Sequence, residues 1–114
     1  MAENILLVQS NAVEGKDEEL NRWYDEVHLP EILQIPGFVA GRRYEIAPAS
    51  PGSTHRYLAV YEIDGDPAKA LKELGRRLRD GELNQSDAID SSSAALSLWH
   101  ALGARVEAQE NPAD

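Results

Sequence analysis

Two short runs, Phe38 to Ile46 and His55 to Ile63, constrain this chain more than any other feature. In the first, alternation puts Phe38, Ala40, Arg42, Tyr44 and Ile46 on one face and Val39, Gly41, Arg43 and Glu45 on the other. In the second, Tyr57, Ala59, Tyr61 and Ile63 oppose Arg56, Leu58, Val60 and Glu62, and the run is strongly β-forming. The loop between them, Ala47 to Thr54, holds Pro, Ser and Gly. Both runs carry apolar or aromatic side chains on each face, so neither face is built for water. A single layer of helices cannot cover both.

The remaining pattern supplies the elements around this pair. Ile5 to Ser10 is a short apolar run that reads as a strand buried on both faces. From Lys16 the period becomes helical, with Leu20, Trp23, Tyr24 and Val27 recurring at three- and four-residue steps and Asp17, Glu18 and Glu19 in the first turn. Pro30 limits continuation past His28 and opens a second short helical turn, which Pro36-Gly37 ends. Asp66 and Pro67 start another helix, as N-cap and first helical residue, with Ala70, Leu71, Leu74 and Leu78 inside and Lys69, Lys72, Arg76, Arg77 and Arg79 on a solvated face. Glu82 to Ser92 is irregular, and Ala94 to Val106 holds the last apolar run, read as a strand with Trp99 turned to the core and His100 away. The order β-α-β-β-α-β is the ferredoxin-like, split βαβ arrangement, an α+β fold with a four-stranded antiparallel sheet and helices on one side. Its bare side predicts a homodimer in which two sheets face each other, closing into an α/β barrel. Residues 1–106 form the single domain and 107–114 a flexible tail.

Composition narrows the partners. The formal charge of −9, from 20 acids against 11 bases, argues against nucleic acid and anionic membrane surfaces. Absence of cysteine removes disulfides, thiolate metal sites and cysteine nucleophiles, and suits a reducing cytoplasm. No signal peptide and no membrane-spanning run is legible, and a cytoplasmic location is expected. No His-x-His or Glu-x-x-His spacing, phosphate loop or nucleophile elbow is present, so no metal and no bound cofactor is expected.

The chemistry-bearing stretch is Trp23 to Phe38. Tyr24 and His28, four residues apart, meet on one helical face. His28 titrates near neutrality and is the candidate acid or base. Asp25, three residues before it, is placed to fix its tautomer. Tyr24 and Tyr44 are candidates to orient a carbonyl, and Ala40 and Ala59 leave room beside Tyr44 and Tyr61. Arg42 is the candidate carboxylate ligand, with Arg43 on the opposite, dimer-facing side. Trp23, Tyr61 and His55 complete the set that could line a pocket; the default for His55 is exposure.

The segment Trp23-Tyr24-Asp25-Glu26-Val27-His28-Leu29-Pro30, then Ile35-Pro36-Gly37-Phe38, then the strand ending Arg43-Tyr44, resembles the EthD-like branch of the dimeric α/β-barrel superfamily. The resemblance implies dimerisation through the sheets and a small-molecule pocket between helices and sheet. The superfamily includes cofactor-free monooxygenases, haem-degrading enzymes, polyketide cyclases and lactone isomerases, so it implies a pocket more firmly than a reaction. His28, Tyr44 and His55 fall at places similar to residues of methylmuconolactone isomerases, which also use a cysteine that this chain lacks. The acids Asp25, Glu26 and Glu31 speak against an apolar haem pocket at His28. The expected function is a cofactor-independent enzyme, of isomerase, cyclase or monooxygenase type, acting on a small apolar carbonyl compound. His28 would be the acid or base. The alternative is a ligand-binding dimer of the same fold without turnover.

Overall fold

A computed structural model describes residues 3–50 and 52–109. The elements are β1 (Asn4–Ala12), α1 (Asp17–Trp23), a π-helical turn (Tyr24–His28), α2 (Leu29–Ile32), β2 (Phe38–Glu45), β3 (Tyr57–Ile63), α3 (Pro67–Arg79) and β4 (Ile89–His100). The sheet order is β2-β3-β1-β4, with every neighbouring pair antiparallel. This is the expected ferredoxin-like α+β architecture. Of the expected tail, residues 107–109 are exposed and irregular, and 110–114 lie outside the described residues.

The core lies between one face of the sheet and the helices. Leu6, Phe38, Tyr57, Ala59, Tyr61 and Ile63 come from the strands; Leu20, Tyr24, Ile32, Ile35, Ala70 and Leu74 come from the helices and the turn after α2. Leu20 and Ile63 are fully buried. Truncating such a residue to alanine typically costs about 2–5 kcal/mol.

The first helix differs from the sequence reading. It does not break at Pro30 but runs through it as far as Ile32, by widening one turn. The Leu29 N–H donates to the Tyr24 carbonyl, five residues back rather than four. A proline has no N–H to donate, and its ring strikes the carbonyl four residues before it in a regular α-helix. A π turn ahead of the proline lets the chain pass without ending the helix. The Pro36-Gly37 turn does end it, with Gly37 at φ +100° and its carbonyl accepting from the Asp64 N–H at 2.8 Å. A Cβ at Gly37 would stand 3.1 Å from the Ala70 Cβ, so the turn also sets how closely α3 packs. At the start of α3 the Asp66 carboxylate accepts from the Ala68 N–H at 2.9 Å, and Pro67 follows, as read from the sequence.

The second correction concerns β2. Phe38 pairs with Ile63 but Ala40 pairs with Glu62, so one extra residue sits in β2 at this point. Such a bulge shifts the alternation by one. Phe38 therefore shares the helix-facing side with Gly41 and Arg43, opposite Tyr61 and Ala59. Arg42 and Tyr44, opposite Val60 and Leu58, are on the free side. The strict alternation read from the sequence put Phe38 with Ala40, Arg42 and Tyr44; those three stay together, and Phe38 changes sides.

The third correction is at the C-terminal strand. β4 begins at Ile89, earlier than expected, because Ile89 and Asp90 pair with Ala12 and Asn11. Trp99 pairs with Ile5 and is 57% exposed, so it is not in the protomer core. β1 is likewise not buried on both faces: Leu6 and Ser10 are buried, while Ile5, Leu7 and Gln9 on the free side are half-buried.

Candidate functional site

The wide turn brings three rings together. The His28 imidazole stacks on the Trp23 indole, with centroids 4.4 Å apart and planes at 21°. It also meets the Tyr24 ring edge-on at 5.1 Å and 88°. Trp23 and Tyr24 are themselves 5.0 Å apart. Regular helical spacing aligns residues four apart; a π turn, with five-residue hydrogen bonds, aligns residues five apart as well. The Tyr24–His28 pair was therefore legible in the sequence, and the Trp23–His28 stack was not.

Burial pushes the His28 imidazole down from its ordinary value to about 4, with Glu31 weakly opposing. At neutral pH it is uncharged and able to accept a proton. Its Nδ1 is buried with no hydrogen-bond partner. Asp25 does not orient it as expected: that carboxylate is largely exposed and lies 3.7 Å from Arg43. Glu31 accepts from the Asn84 N–H at 3.0 Å and from Asn84 Nδ2 at 2.8 Å, and Trp23 Nε1 donates to the Asn84 carbonyl at 3.2 Å. The irregular segment before β4 is thus strapped across the helix beside His28.

Tyr24 links this aromatic group to the sheet. The Arg43 guanidinium lies over the Tyr24 ring at 4.4 Å and near the Tyr57 ring at 5.4 Å. Its Nη1 donates to Asn21 Oδ1 at 2.9 Å. Tyr57 donates to Asp17 at 2.6 Å, which fixes the start of α1 against β3. Burial raises the Tyr24 phenol, with Arg43 opposing; the Ser10 hydroxyl lies near it without hydrogen-bond geometry. Burial raises Tyr61 strongly, with Tyr24 adding and Arg43 opposing, so it is a protonated donor at any working pH. Gly41 makes space for this ring: a Cβ there would stand 3.2 Å from Tyr61 Cδ1 and 3.1 Å from Leu29 Cδ2.

Five buried side-chain atoms among the described residues have no hydrogen-bond partner: Ser10 Oγ, His28 Nδ1, Arg43 Nε, Arg43 Nη2 and Tyr61 OH. Ser10 on β1, Arg43 on β2 and Tyr61 on β3 share the helix-facing side of the sheet. His28 faces them through Tyr24. A native interior rarely leaves so many polar atoms unsatisfied, and each costs about 1–3 kcal/mol. A groove of about 450 Å³ at the β2 edge, lined by Asp25, Leu29, Gly41, Arg42, Arg43, Tyr44 and Glu45, has Arg43 in its wall.

The predicted site residues divide into two groups. His28, Tyr24, Trp23 and Tyr61 converge between helix and sheet. Tyr44 and Arg42 do not join them; they are exposed on the free side, with Arg42 5.5 Å from the Tyr44 ring centroid. His55 is held at the far end of the sheet, where Nε2 donates to the Ser93 carbonyl at 2.9 Å and Thr54 Oγ1 donates to Nδ1 at 3.2 Å. Tyr57 marks that end against Asp17, and His28 lies eleven residues further along the helix, roughly 16 Å at 1.5 Å per residue. Arg43, Ser10 and Asn21 were missed as site residues. The signal that could have found Arg43 is Gly41, whose missing side chain marks the strand face on which another ring must lie. No group of three or more His, Asp or Glu is placed to hold a metal among the described residues, and none of their helices is long and apolar enough to cross a membrane.

No family model and no curated protein matches this sequence. Solved structures do. The haem-degrader MhuD from Mycobacterium tuberculosis, with two haems bound in its active site, matches with a TM-score of 0.65 at 13% identity over 90% of this chain and 99% of that one. HapK from Hahella chejuensis matches with a TM-score of 0.58 at 12% identity over 93% and 99%. An EthD family protein from Bacillus halodurans C-125 matches with a TM-score of 0.56 at 13% identity over 90% and 100%. The protein therefore shares the ferredoxin-like α+β fold of these structures, an EthD family protein among them. At these identities the likeness establishes the fold.

Proposed function

We propose that the protein is a small-molecule enzyme that works without a bound cofactor on a carbonyl compound held between the helix and the sheet. The observation that carries this reading is the pair of buried, unpartnered atoms, His28 Nδ1 and the Tyr61 hydroxyl, on residues that both neighbour Tyr24. A neutral imidazole beside protonated phenols suits proton abstraction next to a carbonyl. His28 takes the proton from the carbon adjacent to the carbonyl. The C–H electrons move to oxygen, and the Tyr61 or Tyr24 hydroxyl donates to the developing enolate. Return of the proton at another carbon is isomerisation; attack of the enolate on a second carbonyl is cyclisation; its reaction with dioxygen is the monooxygenase variant. Trp23 backs the imidazole, and Tyr44 and Arg42 form the wall of the groove. His55 stays outside this set.

The free side of the sheet supports a homodimer. Tyr44, Trp99 and the half-buried Ile5, Leu7, Leu58 and Val60 give it an apolar surface on a chain of net charge −9. Native mass spectrometry on gently purified protein should find a dimer; a clean monomer would remove this part of the reading.

The activity test is product formation, followed by mass spectrometry, from aromatic and polyketide-like carbonyl compounds supplied in air. The wild-type protein should convert at least one compound that it binds. His28→Ala should lower that turnover by at least a hundredfold while binding and folding persist. Full activity in His28→Ala would exclude the imidazole as the acid or base. Binding without product from every ligand would make the protein a ligand-carrying member of the fold.

A further inference from the structure

The guanidinium of Arg43 is held on three sides, and its fourth edge is buried without a partner. Its face lies over the Tyr24 ring, with Tyr57 nearby. Its Nη1 corner is held by Asn21 Oδ1 at 2.9 Å, with Asp25 at 3.7 Å. The atoms left over are Nε and Nη2, both buried and both without a partner. These are adjacent nitrogens of one planar fork, and their N–H bonds run parallel. That edge matches the two oxygens of a carboxylate, a geometry lysine cannot reproduce. Leaving such an edge dry and unpaired is costly, whereas an anion on it forms two charge-assisted bonds. The surrounding protein carries a net charge of −9, so the buried guanidinium is a local exception to a repulsive field.

We propose that the Nε/Nη2 edge of Arg43, in the wall of the groove beside β2, is a carboxylate-binding site, and that the substrate or ligand is a small carboxylic acid. This rests on the reading that the helix–sheet cluster is where the ligand binds. It narrows the substrate to a molecule with an acid at one end, on Arg43, and its reacting carbon toward His28. It also transfers to Arg43 the anion-binding role that alternation alone assigned to Arg42, which stands exposed over Tyr44.

The test is a nitrogen-15 NMR titration of the intact protein with benzoate and naphthoate, each beside its primary amide. The Arg43 Nε–H signal should move on adding a carboxylate and not on adding the isosteric amide, with the acid binding at least tenfold tighter. Arg43→Lys should remove about tenfold or more of the acid's affinity and leave the amide's unchanged, and Arg79→Lys, exposed at the end of α3, should leave both unchanged. If Arg43→Lys fails to fold, the wild-type Nε–H signal still decides. Equal binding of acid and amide, or acid binding that leaves Nε–H unmoved, overturns the proposal. Amides that perturb His28 and Tyr61 while acids do not would refute the carboxylate site and leave the enzyme reading standing. Absence of any perturbation at Arg43, His28 and Tyr61 by every probe would count against both.

Discussion

The two sides of β2 carry adjacent arginines with opposite fates. Arg43 is held among Tyr24, Tyr57 and Asn21, with its side chain 12% exposed. Arg42 stands one residue away, exposed, with its guanidinium 5.5 Å from the Tyr44 ring centroid. Neither residue type nor local sequence separates them. One extra residue in the strand, between Phe38 and Ala40, does. Without that bulge Phe38 and Gly41 could not share a face, and both are needed there: Phe38 packs edge-on to Tyr61 at 6.0 Å, and Gly41 admits the Tyr61 ring. The chemistry of the site thus depends on a backbone irregularity rather than on the choice of charged residue.

The largest test of this contrast is acid. His28 titrates at 6.5 when unfolded and at about 4 when folded. Because the folded value is depressed, the unfolded chain binds the proton more readily. The contribution is fully present above pH 6.5 and is lost as pH falls toward 4, by roughly 3 kcal/mol at ~1.4 kcal/mol per pH unit. Urea unfolding between pH 7 and pH 4 should show this loss in the wild type and a shallower slope in His28→Phe. Equal slopes in wild type and His28→Phe would refute the burial account.

Next in size is Gly41→Val. Its new Cβ would meet Leu29 Cδ2 at 3.1 Å and Tyr61 Cδ1 at 3.2 Å, so a loss of about 1–3 kcal/mol is expected from denaturant midpoints. Ala40→Val, on the opposite face, should change stability far less. A smaller effect, of about 1 kcal/mol, is expected for Arg43→Met, which replaces a buried, half-paired charge with an apolar chain of similar length. Stability should hold or rise while carboxylate binding is lost, whereas Arg42→Met should leave stability unchanged. The smallest concerns the phenols: Tyr44→Phe should stay within ~0.5 kcal/mol, as an exposed change does. Tyr61→Phe should be neutral or slightly stabilising, since its hydroxyl has no partner, yet it should slow turnover.

Much of this was legible in the chain itself. The two alternating runs, the apolar segment from Ile5 and the amphipathic helices set the β-α-β-β-α-β order, because periods near two and near four residues are local properties. The Asp66-Pro67 helix start and the Pro36-Gly37 turn were equally local, each fixed by one or two side chains. Tyr24 and His28 met because residues four apart on a helix meet.

What only the tertiary structure decided is where the pattern slips. The helix passes Pro30 by opening a π turn, which lays His28 flat on Trp23. The strand gains a residue before Ala40, which sends Arg43 inward and Tyr44 outward. Asp25 turns from His28 to Arg43, and His55 is captured by Ser93 across the sheet. Each depends on partners distant in sequence, and a shift of one residue in register reverses every face that alternation assigns. The sequence by itself determined the elements and their order; the packing of those elements determined which polar groups face one another in the interior.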